Sequence, residues 1–455
     1  MIQTSSDTRR GFIRKTAAVT GGIFMPNLLI GQESSGKKIN VAGIGCGGKG
    51  ESDLGGAAQG ANIVAFCDVD SNTLNKALLK YPNAKGFSNF REMFETMGDK
   101  IDMVTISTPD HAHFPAAMEA IKRGKHVCVQ KPLVNRIWEA NQLHQAAQKK
   151  GVKTNMGNQG HTGEGIRLLK EWVNAGIVGN VHEIHVWTNR PIWPQGTEAK
   201  SKYIPKEVPA NLSWNHWLAA TPDVPYVDGL HTFKWRGHRE YGAGAMGDMG
   251  CHIMDGPFWS CELGEPYKME AEVDDLTDVT WPKSSHVVLY FKTAKFGEVK
   301  LHWYEGGRKP ERPAELEDTR NWDKMIGGFL IKGDEGTILN TDDYCGSPRV
   351  IPDDKFKAWI AAKKPEKTLE RSLAQGNPQL ELVKSIEQDK ICGSNFNYSV
   401  PLTKLCLLGN LAIQTPGKVL EWDTATQTVK NDAEASKFIK RAAYREGWNY
   451  SADKI

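Results

Sequence analysis

Charge of one sign is what the chain most plainly lacks. Lys and Arg number 57 against 54 Asp and Glu, a formal net charge of +3. The segment 1–36 holds Arg9, Arg10, Arg14 and Lys15 against Asp7 and Glu33, so +2 of that excess sits there. The rest is close to neutral, which excludes nucleic acid as an expected partner. Beyond residue 36 no apolar run is long enough to cross a membrane, so no integral span is expected. Internal repeats and low-complexity linkers are missing. The eight cysteines do not form a disulfide framework. Cys46 lies in a glycine loop, and Cys67 and Cys128 lie in apolar runs that read as buried strands, so few or no disulfides are expected. A hydrophobic fraction of 40% with 24% charged residues describes a globular chain. At 455 residues it exceeds one ordinary core, so two domains are expected after a leader.

The leader reads TRRGFIRKTAAVTGGIFMPNLLIG. Paired Arg9 and Arg10, then Phe12 and a weakly apolar run, resemble a twin-arginine export signal over 1–36. Gly21, Gly22 and Pro26 make that run a poor membrane span. The competing reading is a basic disordered tail. Export would place the protein in the periplasm or cell envelope. Cargo of that route folds before export, which fits reduced, core-type cysteines.

What is present begins with KKINVAGIGCGGKG. An apolar run over 39–44 is followed by Gly45, Gly47 and Gly50 at G-x-G-x-x-G spacing. Such glycines permit a tight turn, close approach to a pyrophosphate and close packing of the next helix. A second strand, NIVAFCDVD, reaches Asp68, 18 residues past Gly50. An acid there binds adenosine ribose hydroxyls and repels a 2′-phosphate, so NAD is favoured over NADP. A helical stretch and DMVTISTPDHAH follow, then FPAAMEAIKRG and KHVCVQKP. This alternation indicates a doubly wound parallel sheet over 37–156. Thr108, Pro109, His113, Gln130 and Lys131 lie at the carboxyl ends of its strands, where such sheets bind ligands.

Taken in order, GIGCGGKG, STPDHAH, GKHVCVQKPL and GAGAMGDMGCH resemble the Gfo/Idh/MocA oxidoreductases. The resemblance covers essentially everything after the leader. It implies an α/β fold: an N-terminal Rossmann domain, then a substrate-binding domain over 157–455 with a large, mostly antiparallel open sheet. The last helices are free to pack back on the first domain. The strand-like segments VHEIHVWT, SSHVVLYFK, GEVKLHWYEG and GFLIKGDEGTILN alternate polar and apolar, as one-sided sheets do. PQLELVKSIEQDK and LTKLCLLGNLAIQT read as returning helices, and KRAAYREGWNY as a last helix. Most family members oxidise or reduce a sugar or cyclitol hydroxyl with NAD(P). The resemblance makes Lys131 the catalytic lysine, with Asp248 and His252 as its partners, and implies a cis Lys131–Pro132 bond. The family's Glu-Lys-Pro appears here as Gln130-Lys131-Pro132.

The stretch GAGAMGDMGCHIMD, residues 242–255, has four glycines in nine residues. If it turns helical near Ala245, Asp248, His252 and Asp255 share one face. Oxidising an alcohol needs a proton acceptor for the hydroxyl and a hydride acceptor for its carbon. His252 suits the first role, Lys131 donates to the reacting oxygen, and Asp248 orients the imidazole or holds a substrate hydroxyl. The glycines would let sugar and nicotinamide approach the backbone. Asp255 either joins the site or braces the helix. A metal site on Asp248, His252 and His161 is the alternative weighed and set aside, and no metal is expected. Asn158 and His161 are substrate candidates at the entry to the second domain. Six tryptophans crowd between 187 and 259; Trp193, Trp235 and Arg236 are taken as carbohydrate contacts, with His231 behind them.

Three functions stand against one another: a sugar oxidoreductase with tightly bound, recycled NAD (NADP as the alternative), a redox-neutral glycoside hydrolase of the same family, and a non-catalytic sugar or nucleotide binder. The hydrolase branch tends to lack the lysine present here as Lys131. A homodimer or tetramer is expected from the open sheet.

Overall fold

The computed structural model describes residues 38–455. The leader, with its paired arginines, lies outside the described residues. Six short strands open the fold: β1 (Asn40–Ile44), β2 (Asn62–Cys67), β3 (Lys85–Phe87), β4 (Met103–Ile106), β5 (His126–Val129) and β6 (Thr154–Met156). They form one parallel sheet in the order β3-β2-β1-β4-β5-β6. Helices lie between successive strands, so the central strands read as continuous apolar runs; every residue of β4 is buried. Two of those helices start on polar caps. Asp70 accepts from Asn72 N at 2.9 Å before Ser71–Lys80, and Asn89 from Arg91 N at 2.9 Å before Phe90–Met97.

The second sheet has nine strands: β7 (Val181–Trp187), β8 (Lys268–Asp274), β9 (Ser284–Thr293), β10 (Gly297–Glu305), β11 (Gly328–Gly333), β12 (Gly336–Asn340), β13 (Arg349–Ile351), β14 (Leu420–Asp423) and β15 (Thr428–Val429). Their order is β13-β12-β11-β7-β10-β9-β8-β14-β15, antiparallel throughout except β7 with β10. The burial of β9 and β10 alternates along the strand, as one covered face requires. The covering helix is Phe396–Ile413, apolar nearly all round because it lies between β8–β9 and the helices Ile137–Lys150 and Gly244–Ile253. On the opposite face, Leu316 and Trp322 pack on Trp187 and Leu330, so a loop covers the β7–β11 half. All eight cysteines are free and buried.

The helix Pro378–Glu387 returns to the first sheet, packing on Lys49–Ala57 and β6. The stretch 440–450, expected to be a last helix, is not one. Only Ala433–Ser436 and a turn at Ala452–Lys454 are helical near it. Gly447 takes φ +75°, and side-chain anchors replace the helical ladder. Tyr444 Oη donates to Glu139 Oε1 at 2.9 Å, Arg441 Nη2 to Asn135 Oδ1 at 3.2 Å, and the Arg91 guanidinium lies 3.9 Å over the Trp448 ring.

Between β7 and the helix Gly244–Ile253 the chain makes a long excursion, residues 188–243. It builds its own small core from Leu212, Trp214, Trp217, Tyr226, Leu230, Trp235 and Tyr241. This strap is tied to the loop after β2. Ser213 N donates to Val69 O at 2.8 Å, Ser71 N to Asn211 O at 2.9 Å, and Asn211 Nδ2 to Asp70 Oδ1 at 2.8 Å.

Candidate active site and cofactor cleft

A cleft of about 580 Å³ runs from Gly45 and Asp68 to Lys131, Asp248 and His252. Its size is that of a ligand site. At one end, Gly45 takes φ +80°, and a Cβ there would stand 2.6 Å from Ser107 O. A Cβ on Gly50 would meet Gly45 O at 2.0 Å, so this glycine lets the helix Lys49–Ala57 close on the strand. A Cβ on Gly47 would meet the Thr73 side chain, whereas Gly48 faces open space. The helix N-terminus therefore presents its amides to the cleft, as a pyrophosphate requires. Asp68 accepts from Cys46 N and Asp70 N, each at 2.9 Å. Each carboxylate oxygen takes one backbone donor and keeps lone pairs for ribose hydroxyls. Burial raises its pKa. These residues fit a dinucleotide.

Thr108, Pro109, His113, Gln130 and Lys131 all line the same cleft. His113 ties two strand ends together, with Nε2 2.8 Å from Thr108 O and Nδ1 2.9 Å from Pro132 O. Burial pushes it down to about 4. Gln130 Nε2 donates to Asp53 Oδ2 at 2.8 Å. Asp53, itself buried, also accepts from Lys49 Nζ at 2.6 Å and Ser107 Oγ at 2.7 Å. The amide at 130 is thus a donor to an acid on the neighbouring helix. Sequence spacing offered no signal for this pairing.

Lys131 is carried by a cis Lys131–Pro132 bond. Its Nζ donates to Asp248 O at 2.6 Å and Oδ1 at 2.9 Å. Burial pushes the Asp248 carboxyl up, but Lys131 and then Arg236 outweigh it and hold it below the usual range. His252 follows one turn later on the helix Gly244–Ile253. Burial, reinforced by the Lys131 charge, lowers it well below an ordinary histidine. Its Nδ1 is buried without a partner among the described residues, and Tyr344 stands edge-on at 5.0 Å. A neutral imidazole beside an ammonium and a carboxylate can accept a proton while the ammonium stabilises the oxygen it leaves.

Asp255 departs from the shared face. The helix stops at Ile253, and Asp255 opens a new one, Asp255–Ser260. Its carboxylate accepts from Asn158 Nδ2 at 3.0 Å and Tyr398 Oη at 2.5 Å, with His161 Nδ1 at 3.0 Å. Asn158 and His161 are therefore buried behind the cleft, not on its wall, contrary to the expectation of substrate contact. Asp255 holds Asn158 Nδ2 and His161 Nδ1, and Ser394 Oγ donates to Asn158 Oδ1 at 2.6 Å. The glycines of 242–250 also serve packing and not ligand approach. A Cβ on Gly242 would strike the Arg236 backbone, on Gly247 the Ala243 Cβ, and on Gly250 the Cys406 Sγ.

Trp235, Arg236 and His231 line the cleft. His231 Nε2 lies 3.1 Å from Asp70 Oδ2. Trp193 does not reach it; its Nε1 donates to Gln195 Oε1 at 2.8 Å and its ring is buried against the strap. Sequence reasoning missed Asp110, Trp217, Tyr344 and Trp448, all on the wall. Asp110 sits beside the quoted Thr108-Pro109, but Trp448 comes from the far end of the chain, where no local pattern marks it.

Residues 38–158 match the Gfo/Idh/MocA family model described as the NAD-binding Rossmann fold. Residues 162–278 match the model of its C-terminal alpha/beta domain. The chain belongs to the Gfo/Idh/MocA family. Among curated relatives, it is 29% identical over 149 residues to Oxidoreductase P35 of Formosa agariphila, covering 32% of this chain and 45% of that protein. It is 26% identical over 203 residues to the alpha-N-acetylgalactosaminidase of Shewanella oneidensis, covering 38% and 44%. The chain thus spans less than half the length of these relatives. The WlbA dehydrogenase of Bordetella pertussis, solved with NADH and UDP-GlcNAcA, has the same fold, with a TM-score of 0.59 at 17% identity over 85% of this chain and 99% of that one.

Proposed function

We propose that this Gfo/Idh/MocA member is an NAD-dependent oxidoreductase acting on a hydroxyl of a sugar, cyclitol or glycoside. The observation that carries the reading is the convergence of Lys131 Nζ, the Asp248 carboxylate and the neutral His252 at one end of the cleft. NAD bound in the glycine-loop half supplies the hydride acceptor. His252 takes the hydroxyl proton. Lys131 donates to the same oxygen and stabilises its alkoxide character. Asp248 fixes the ammonium and offers its second oxygen to a substrate hydroxyl. Asp68 favours NAD over NADP.

Tight retention of the cofactor belongs to the same proposal. The strap bonds to the loop directly after Asp68, so a bound nucleotide leaves only when those bonds open. Export through the Arg9–Arg10 leader in a folded, cofactor-loaded state, to the periplasm or cell envelope, makes retention useful, because free NAD is scarce there. Homo-oligomerisation through the outer face of β8, β9 and β10 completes the reading.

The match to the Shewanella oneidensis glycosidase favours a second reading, redox-neutral glycoside cleavage. Lys131, bonded to Asp248, speaks against it. The two separate on Lys131→Ala and His252→Gln assayed with a sugar and a chromogenic-glycoside panel. The oxidoreductase reading expects sugar-dependent NADH formation, cut about 100-fold or more by each change, with NAD affinity kept. Aglycone release without NADH, persisting in Lys131→Ala, contradicts it. Ligand binding without turnover in the parent protein would leave a non-catalytic binder.

A further inference from the structure

We propose that the substrate is an acidic sugar and that Arg236 is the residue that selects its carboxylate. The proposal rests on the reading of the site as a sugar oxidoreductase and narrows its substrate class. Arg236 lies in the short turn Lys234–Gly237 and lines the cleft. Its guanidinium lies 4.3 Å over the Trp235 ring and 5.0 Å from that of Phe233. Stacking holds the plane and leaves the edge, where the N–H donors point, free. A guanidinium carries five donors. Among the described residues Arg236 makes one hydrogen bond, Nη1 to Phe233 O at 3.4 Å. Its Nε stands 3.6 Å from Asp248 Oδ1, an ion pair without a hydrogen bond.

Some arginines among the described residues are held by several protein acceptors. Arg371 is bonded through three nitrogens to Glu164, Glu171 and Leu369 O. Arg441 is bonded to Glu240 and Asn135. Arg236 makes fewer bonds than these two and, unlike them, lines the cleft, and its surroundings explain what its free edge serves. Asp248 is met by three cations: Lys131 at 2.9 Å, Arg236 at 3.6 Å and Arg190 at 3.8 Å. One carboxylate does not balance three cations. Asp110 on the wall and Asp343 beside Arg190 are each driven toward the neutral form by burial. The end of the cleft that holds the reacting hydroxyl is thus positive, and a positive, partly desolvated cleft concentrates anions.

A neutral sugar seated over the free edge of Arg236 would take that edge out of solvent without returning charge-assisted hydrogen bonds to it. A carboxylate matches the planar fork with two parallel hydrogen bonds. A phosphate dianion fits less well, because Asp248 stands beside the same guanidinium. Lys131 and Arg236 approach the same oxygen, Asp248 Oδ1, so the carboxylate and the reacting hydroxyl belong to one monosaccharide. Uronic and aldonic acids have that layout.

The test compares neutral, acidic and phosphorylated forms of one sugar on the holoprotein: glucose, glucuronate and glucose 6-phosphate, then galactose and galacturonate. The expected result is a kcat/KM for an acid at least about 100-fold above its neutral partner, the size of a lost charged hydrogen-bond pair. Arg236→Gln should collapse that ratio to a few-fold. Arg236→Lys should retain part of it, as a point charge without the fork. Equal or better use of the neutral sugar, preference for the phosphate, or a ratio unmoved in Arg236→Gln overturns the proposal. Tryptophan fluorescence read with glucuronate and glucose keeps the outcome separate from chemistry. Arg236-dependent uronate binding without cofactor reduction supports the carboxylate site and sinks the oxidoreductase reading. Binding that ignores the carboxylate sinks the carboxylate site.

Discussion

Gln130 Nε2 donates to Asp53 Oδ2 across 2.8 Å, so the amide at 130 is paired with a buried acid from the first helix. The pair has one charge, shared with Lys49 at 2.6 Å. Gln130→Glu would set two carboxylates against each other in a buried site, and one of them must take a proton. The variant is expected to melt several degrees lower than the parent at neutral pH. Adding Asp53→Asn should recover most of the loss. Thermal melts of the parent, both single variants and the double variant would show this coupling; strictly additive effects would contradict it.

Asp110 gives a stability signal of known sign. Burial raises its carboxyl from 3.8 to about 7, with Ala243 N donating to it at 2.9 Å. The fold accommodates the neutral form, so its contribution is complete below the unfolded value and is lost as pH rises through about 7. Asp110→Asn keeps an acceptor for Ala243 and removes the titration. The Tm of the variant relative to the parent should rise between those two values and then level off. A gap that does not change with pH would rule this out.

Asp255 is read as a brace. Asp255→Ala strips partners from Asn158, His161 and Tyr398 at once. A loss of about 3 kcal/mol in unfolding free energy is expected from breaking so buried a network. Denaturant melts measure it, alongside NAD titration, whose affinity should stay within a few-fold because Asp255 does not reach the cleft. Intact stability with weakened NAD binding would return Asp255 to the site.

The strap makes a kinetic prediction. His231→Ala removes the contact between His231 Nε2 and Asp70 Oδ2 at 3.1 Å and leaves the Asp70 cap on Asn72 in place. Release of prebound NAD into a scavenger should accelerate by about tenfold, the worth of a charged hydrogen bond. An unchanged release rate would deny the strap a role in retention.

The first domain was legible because its signals are local. Gly50 acts through a contact with Gly45 five residues back, and Asp68 ends a strand at fixed spacing; the glycine pattern marks the turn even though the atom a Gly45 Cβ would strike, Ser107 O, is distant in sequence. Lys131, Asp248 and His252 were found through the family resemblance, and they do share the cleft. What stayed hidden is set by contacts far apart in sequence. Asp53 meets Gln130 from 77 residues away. His161 looks like a site histidine until Asp255 claims its ring. The helix expected at 440–450 gives way to anchors on Glu139, Asn135 and Arg91, none of which has a local signature. The glycines of 242–250 misled because a missing Cβ looks the same whether a ligand or a neighbouring helix fills the space.

The central claim is that Lys131, Asp248 and His252 serve oxidation of a sugar hydroxyl by a retained nicotinamide. The most direct measurement is the absorbance of the purified, full-length holoprotein as neutral and acidic sugars are added without nucleotide. The account predicts a band near about 340 nm, the signature of reduced nicotinamide. It should appear with one sugar class, persist, and fail to form in His252→Gln. Purified protein that holds no nucleotide, or a panel that releases aglycone from glycosides without that band, would contradict it.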